Sequence, residues 1–216
     1  MADNYLEKRY EEVFGKGSRK VKRVGHTLDE LLLKNRSYRG YNKNFVVTRE
    51  MLERIVGVNT KLPSGCNRQV LRFKLVTKDS GADKVLSCIK MGAALPELHL
   101  PFPGTEPESF IVVCCEGQES KLVDIDLGIS LQSMLLKAVE MGLNGLIVGA
   151  FNKADLSEAL ALPLEPLAVL CIGKGAEHIE LTPIPATESH AYYRKETSQG
   201  TIHFVPKVQL KDLVLD

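Results

Sequence analysis

The chain has no tryptophan, no long apolar run and no excess of either charge. Among its 216 residues, 28 are Lys or Arg and 27 are Asp or Glu, which leaves a net charge of +1. Proteins dedicated to nucleic-acid binding normally have a basic excess, so that class is not expected. No run approaches the roughly 20 apolar residues that cross a bilayer, and the charged N-terminal segment does not have the apolar core of a secretory signal. We therefore expect a cytoplasmic protein that binds neither nucleic acid nor membrane.

Cysteine is sparse, and its spacing does not fit a metal site. The five cysteines include no CxxC pair, and no histidine lies at a metal-ligand spacing from a Cys or Glu. Both observations argue against a zinc site, so no metal ligand is predicted. We expect reduced cysteines that pack as small hydrophobic residues. They are Cys66, Cys88, Cys114, Cys115 and Cys171.

Familiar catalytic signatures are also missing. Gly173-Lys174-Gly175 follows a predicted strand, but His178 stands where a dinucleotide-binding fingerprint has its third glycine. The chain contains neither a Walker A loop nor a G-x-S-x-G elbow. The residues alone therefore identify no catalytic side chain.

Two regions of the chain differ in composition. Residues 1–26 form a head in which Leu6, Tyr10 and Val13 have the spacing of a short amphipathic helix. A basic stretch follows at residues 16–23, either as a solvated arm that folds back on the domain or as a binding segment for an acidic partner. Residues 27–216 form the main domain.

The main domain mixes helix and strand patterns, which predicts one α+β domain with a central sheet flanked by helices. Thr27 and Thr48 are placed to cap its first two helices, the first with Glu30 in a capping box. A further helix is predicted around Asp155 and Glu158, and the Pro- and Gly-rich residues 96–107 are expected to form a surface flap. Apolar runs predict strands at residues 70–77, 109–116, 145–150, 166–173 and 201–205, the last ending at Pro206-Lys207.

The strongest helix pattern covers residues 124–142. Leu131 and Leu135 lie on one face of this helix, and Leu127 and Met134 lie on another. A helix that is apolar on two faces is buried on both sides. It is therefore either a central core helix or a helix shared with a second subunit.

Three segments offer groups that bind ligands. Residues 36–39 contain two guanidinium groups and a hydroxyl, which suit phosphate oxygens. Residues 64–69 contain amides that can bind the edge of a planar heterocycle, beside a flexible glycine. Residues 145–151 end a buried strand in small residues, against which a flat ligand can lie. Taken alone, the first two segments are better explained as a solvated basic turn and an ordinary loop.

Taken in order, these segments resemble the motifs of the nitroreductase family of FMN-dependent oxidoreductases. Residues 36–39 are similar to its R-S-x-R phosphate motif, and residues 63–69 to its P-S-x-x-N-x-Q loop. Residues 126–150 resemble its long central helix and the G-x-x-x-G-A-F turn that follows. Residues 162–173 resemble its L-P-x-x-P-x-A-x-x-x-x-G strand, and the C-terminal pieces of the family are matched at residues 192–194 and 205–207.

The resemblance implies an α+β fold with a mixed or antiparallel central sheet, assembled as a homodimer with FMN sites at the interface. It implies that Arg36, Ser37 and Lys207 hold the phosphate and that Arg39 lies near the flavin pyrimidine. It also implies contacts to the ring or ribityl chain from Ser64, Gly65 and Asn67 of the partner subunit, and a flavin face or edge lined by Ile147, Val148 and Gly149. Tyr38, Pro63 and Gln69 belong to the matched motifs and complete the candidate set.

The function implied by the resemblance is hydride transfer from NADH or NADPH, through FMN, to an electron-poor acceptor such as a nitroaromatic or a quinone, by a ping-pong route. The flavin performs that chemistry and the protein positions and tunes it, so no catalytic side chain is named. A flavin-binding protein that acts in storage or sensing is one alternative. An interaction module with a basic head and no flavin is another.

Overall fold

The computed structural model describes residues 25–92, 95–198 and 200–215. These residues form the predicted α+β fold, whereas the predicted helix at Leu6–Val13 and the basic stretch at residues 16–23 lie outside the described part of the chain. The α-helices are α1 (Leu28–Lys34), α2 (Arg49–Val56), α3 (Ala82–Cys88), α4 (Lys121–Glu140) and α5 (Lys153–Leu160). The strands are β1 (Leu71–Val76), β2 (Phe110–Cys115), β3 (Asn144–Val148), β4 (Glu165–Gly173), β5 (His178–Ile184), β6 (Tyr193–Thr197) and β7 (Gly200–Val208).

The central sheet is antiparallel and has the strand order β1-β2-β4-β3. β2 is buried along its whole length because it lies between two other strands and has helices on both faces. Phe110 and Val112 point into one hydrophobic cluster, with α3 and α5, while Ile111 and Val113 point into a second one, with α2 and α4. The fold is therefore a sheet packed between two layers of helices.

Local capping sets the start of the first two helices. Thr27 and Glu30 make the predicted capping box of α1, and the Thr48 side chain accepts a hydrogen bond from the backbone N–H of Met51 in α2. These contacts form within four residues of the chain, so short-range sequence signals are sufficient to predict them.

Helix α4 begins three residues before its predicted start. Ser120 caps it by accepting from the backbone N–H of Val123, and the helix ends at Glu140, before Gly142 at φ 75°. Leu131, Met134 and other apolar residues of α4 are buried against the sheet. Leu122 and Ile125, in the first two turns, are 42% and 49% exposed. Both predicted apolar faces therefore pack in the core of this chain, and the exposed apolar surface at the start of the helix is a further one that was not predicted.

A second, three-stranded sheet was not predicted. It has the order β5-β7-β6, with β5 and β7 parallel and β6 and β7 antiparallel. The sequence predicts a tail strand that ends at residue 205, whereas β7 continues through Pro206 and Lys207 to Val208. Proline is tolerated there because β6 pairs only as far as Phe204, so β7 has an unpaired edge at Pro206.

The flap over residues 96–107 is a loop with one short 3-10 turn at Pro96–Leu98, as predicted. Among the cysteines, Cys114, Cys115 and Cys171 are buried, all five thiols are free, and Cys88 is partly buried. The prediction was wrong for Cys66, which is exposed because it lies in a surface loop at φ 52°. In the described ranges, no helix has the length and apolar character to cross a membrane.

Candidate functional site

The segment after α1 is fixed against the edge strand β3. Ser37 forms an isolated parallel bridge with Gly145, and the backbone N–H of Tyr38 donates to the Gly145 carbonyl at 3.1 Å. A Cβ on Gly145 would lie 2.5 Å from Leu135 and 2.8 Å from the Cys171 carbonyl, so only glycine permits this approach. The basic residues at 36 and 39 are thereby held beside the end of β3.

These residues form one wall of a cavity of about 300 Å³, which we call the arginine cavity. β3 and α4 contribute apolar and amide groups to it, and the small sheet closes the opposite side. Its lining residues are Asn35, Arg36, Ser37, Arg39, Gln132, Leu135, Ile147, Ile179, Tyr192, His203, Val205 and Lys207.

The arginine cavity is strongly cationic. Arg36, Arg39 and Lys207 line it, and no acidic side chain is among its described lining residues. The Arg36 guanidinium is partly removed from water, and this burial lowers its pKa from the usual value. A desolvated guanidinium is stabilised by an anion with matching oxygens, so this cavity suits a phosphate.

Unpartnered polar atoms concentrate at the same place. Across the described residues, five buried side-chain nitrogens make no hydrogen bond, and four of them belong to residues that line the arginine cavity. They are Nε of Arg36, Nε of Arg39, and Nδ1 and Nε2 of His203. Leaving a buried polar group unsatisfied costs about 1–3 kcal/mol. A polar ligand would recover that free energy.

The guanidinium of Arg39 is fixed by its surroundings. It donates to the Ser37 carbonyl at 3.2 Å and to the Tyr192 hydroxyl at 3.3 Å, and it stacks 4.9 Å from the centre of the Tyr192 ring. The Glu177 carboxylate accepts from the backbone N–H groups of Arg39 and Gly40 and pairs with Arg194. The positive charge of Arg39 therefore has one preferred orientation beside the cavity.

The end of β3 offers a flat apolar surface. Ile147 is 43% exposed and lines the cavity, whereas its neighbour Val148 points to the opposite face and is buried in the core. Beyond the strand, Gly149 has open space where a side chain would be. This edge therefore offers an apolar contact and free space to a planar group.

The second candidate segment, residues 63–69, is anchored to α4 by a carboxylate. Asp126, which is 7% exposed, accepts from the Ser64 hydroxyl at 2.6 Å and from the Gly65 backbone N–H at 2.8 Å. The Ser64 hydroxyl in turn accepts from the backbone N–H of Gln69 at 2.9 Å. The Ser64 hydroxyl and the Gly65 N–H thus hold the loop in place within this chain.

This loop borders a different cavity. The loop groove has a volume of about 470 Å³, and its lining includes Pro63, Ser64, Gln69 and Asp126. The lining residues of the loop groove and of the arginine cavity do not overlap. Within one chain, the two candidate segments are therefore separate.

The thirteen candidate residues divide accordingly. Five line the arginine cavity: Arg36, Ser37, Arg39, Ile147 and Lys207. Three line the loop groove: Pro63, Ser64 and Gln69. The other five line neither cavity. Tyr38 packs against Gly175 and the core, and Val148 is buried. The backbone N–H of Gly65 donates to Asp126, the exposed Asn67 accepts from the Gln69 side chain, and Gly149 is exposed.

Sequence reasoning missed several polar residues in or beside these sites, among them Gln132, His203, Asp126 and Glu177. Asp126 had a detectable signal, because it is an acidic residue that shares the inward face of the helix with the apolar Val123. His203 had another, since it is separated from Lys207 by four residues and so shares its face of a strand. That signal was lost because the tail strand was predicted too short.

A sequence model of the nitroreductase family matches residues 115–174. No curated protein matches the chain. A crystal structure of a nitroreductase family protein from Clostridium difficile 630 is 27% identical to the chain, with a TM-score of 0.56, and the match covers 70% of this chain and 86% of that one.

Two further crystal structures share the fold. An FMN- and NADPH-dependent nitroreductase, a variant of NfnB from Sphigopyxis sp. strain HMH, is 20% identical over 69% of this chain and 88% of that one, with a TM-score of 0.56. A structure from Desulfovibrio desulfuricans, described as a nitroreductase in complex with FMN, is 23% identical over 70% and 88%, with a TM-score of 0.59. These findings confirm the resemblance to the nitroreductase family, in sequence over residues 115–174 and in fold over most of the described chain.

Proposed function

We propose, from its nitroreductase fold and its matching family sequence, that this protein is an FMN-dependent oxidoreductase that passes a hydride from NADH or NADPH to an electron-poor small molecule. The observation that carries the proposal is the arginine cavity, where three cations and four unpartnered buried nitrogens converge and no described lining residue is acidic. A nitroaromatic or a quinone is the proposed acceptor, reached by a ping-pong route, and the cytoplasm is the proposed compartment.

The residues of the arginine cavity fit FMN in chemistry. Arg36, Ser37 and Lys207 can hold the phosphate, since two cations and a hydroxyl match its oxygens. Arg39 would lie toward the pyrimidine edge, and the end of β3 at Ile147 would support the planar ring. When bound, the flavin supplies the two-electron hydride chemistry.

The chain contributes charge and position to this reaction. The fixed guanidinium of Arg39 stabilises negative charge that develops beside it, and this favours a reduced ligand over an oxidised one. Arg36 and Lys207 hold the ligand without taking part in proton transfer. We therefore assign no general acid or base among the described residues.

A complete site in this proposal needs two chains. The loop at residues 63–69 and the arginine cavity are separate within one chain, and the exposed Leu122 and Ile125 offer an apolar surface close to the loop, since Leu122 lies within 3.2 Å of a Cβ built on Gly65. In a homodimer, the loop of the partner subunit would complete the site.

The test begins with the purified protein. We expect a flavin absorption spectrum, about one FMN per chain, and consumption of NADH or NADPH when a nitroaromatic or a quinone is present. A flavin spectrum without turnover would favour storage or sensing. A protein that neither contains nor binds FMN would overturn the proposal.

Arg36→Ala tests the assignment of the cavity. Loss of a charge-assisted hydrogen bond should weaken FMN binding about tenfold to a hundredfold, corresponding to about 1.5–3 kcal/mol, as measured by quenching of flavin fluorescence. Arg54→Ala, at an exposed position of α2, is the matched control and should bind as the wild type does. Equal affinity in both variants would remove Arg36 from the site.

A further inference from the structure

His203 differs from the other buried polar side chains of the described chain. Its exposed fraction is 2%, and neither ring nitrogen has a hydrogen-bond partner. By contrast, the buried hydroxyls of Ser109 and Ser130 donate to the Ile172 carbonyl and to the Asn59 side chain, and Asp126 accepts from the loop. Of the four polar side chains buried in the described chain, His203 is therefore the one left without a hydrogen-bond partner, and it lines the arginine cavity.

The surroundings of His203 favour the neutral form of its ring. Burial lowers its pKa, and the cations Arg194 and Arg39 lower it further, while Glu177 acts in the opposite direction. The Tyr192 ring lies beside it, with 5.1 Å between centroids, and His203 also borders a second cavity, which Glu177 and Arg194 line. A neutral imidazole has one N–H donor and one lone-pair acceptor.

The two arginines lack this combination of a hydrogen-bond donor and an acceptor. The unpartnered Nε groups of Arg36 and Arg39 can only donate, so His203 holds the only unpartnered buried nitrogen of the described cavity lining that can accept a hydrogen bond. A hydroxyl group is its natural complement, because a hydroxyl both donates and accepts. A phosphate dianion would satisfy the donor alone.

The position of His203 along β7 separates it from the proposed phosphate end. His203, Val205 and Lys207 all line the cavity from one face of the strand. Four residues of strand span about 13 Å. A ligand whose phosphate is held by Lys207 therefore presents a different part of itself to His203.

We propose that His203 forms a direct hydrogen bond with a hydroxyl of the ribityl chain of FMN. The proposal rests on the proposed function, because it assumes a flavin nucleotide in the arginine cavity. His203 would then be a positioning residue that binds the polyol part of the ligand, while other residues hold its phosphate.

The test compares His203→Phe with the wild type in two measurements. In the ligand-free protein, an apolar ring of similar size removes an unsatisfied buried polar group, so the variant should be as stable as the wild type or more stable in urea unfolding. Its affinity for FMN should nevertheless fall about tenfold, and its affinity for riboflavin should fall by the same factor, because the lost contact does not involve the phosphate.

Three further variants make the result specific. Arg36→Ala should weaken FMN binding but change riboflavin binding little. His203→Gln, which keeps a donor and an acceptor, should recover most of the lost affinity. Ile202→Val lies on the same strand but does not line the arginine cavity, so it should lower stability without changing affinity for either flavin.

Several outcomes would overturn the inference. Lower stability of the ligand-free His203→Phe protein would show that the ring has a structural partner. Weaker binding of FMN with unchanged riboflavin binding would assign His203 to the phosphate, and unchanged binding of both would remove it from the site. If the wild type binds neither flavin, the proposed function itself fails, and this inference fails with it.

Discussion

Arg39 is held by groups of different kinds at its two ends. Glu177 accepts from its backbone N–H, while the Tyr192 hydroxyl and the Ser37 carbonyl accept from its guanidinium. A charge that is fixed before a ligand binds requires little reorganisation when negative charge develops beside it. The orientation of this one side chain therefore has a measurable consequence for a redox ligand.

Arg39→Gln should lower the reduction potential of bound FMN. Glutamine keeps hydrogen-bonding capacity but removes the charge, so reduced flavin loses more stabilisation than oxidised flavin does. Each kcal/mol lost corresponds to about 20 mV for a two-electron couple, and we expect a shift on the order of tens of mV. Spectroelectrochemical titration measures it, and Arg39→Lys, which keeps the charge, is the control.

Two results would contradict this prediction. Loss of FMN from Arg39→Gln with a normal potential in the remaining fraction would indicate that Arg39 binds the phosphate. Wild-type affinity together with the wild-type potential would place its guanidinium outside the influence of the flavin.

At the scale of elements, the loop at residues 63–69 shows how a flexible segment is fixed. Cys66, Asn67 and Gln69 have positive φ, which is costly for residues with a side chain. Asp126 offsets that cost through two hydrogen bonds to the start of the loop. The conformation of the loop therefore depends on one buried carboxylate of α4.

Asp126→Ala should destabilise the protein by roughly 2–4 kcal/mol, since it removes two hydrogen bonds to a buried carboxylate and leaves the Ser64 hydroxyl and the Gly65 N–H without that acceptor. Urea unfolding measures the change. Asp124→Ala is the matched control, because Asp124 is exposed in the first turn of the same helix and contributes less than about 1 kcal/mol through the helix dipole. Equal effects of the two substitutions would show that the carboxylate of Asp126 does not anchor the loop.

The sequence predicted elements where the signal is local and missed them where it is not. The capping box of Thr27 and the apolar run of β2 are encoded in consecutive residues, and both are confirmed. β5 and β6 were missed because they are stabilised mainly by pairing with β7, a relation between distant residues. The predicted N-terminal boundary of α4 was wrong because Ser120, the residue that caps the helix, lies before the start of the predicted apolar pattern.

At the scale of the molecule, the composition of the site was easier to predict than its arrangement. The matched motifs predicted a phosphate-binding group, and the structure brings Arg36, Ser37, Arg39 and Lys207 to one cavity. His203 and Tyr192 join them only because the small sheet lies across the cavity from β3 and α4, an arrangement that no single segment encodes. The separation of the loop groove from the arginine cavity is likewise a property of the whole fold.

That separation, together with the exposed apolar start of α4, leads to a prediction about assembly. Met134 is fully buried within the chain, so a charge there would unfold the protein whether or not it dimerises. Ile125 is 49% exposed, so a charge there tests association without damaging the core. We expect the wild type to be a homodimer, with an interface that buries more than about 2,000 Å².

Ile125→Asp should therefore give a folded monomer with FMN affinity reduced at least tenfold, because the loop of the partner subunit would no longer complete the site. Light scattering gives the mass, circular dichroism checks the fold, and fluorescence quenching gives the affinity. Lys121→Glu changes the charge at an exposed position of the same helix and should leave the dimer intact. A wild type that is monomeric at micromolar concentration and binds FMN fully would contradict the prediction, since one chain would then contain the complete site.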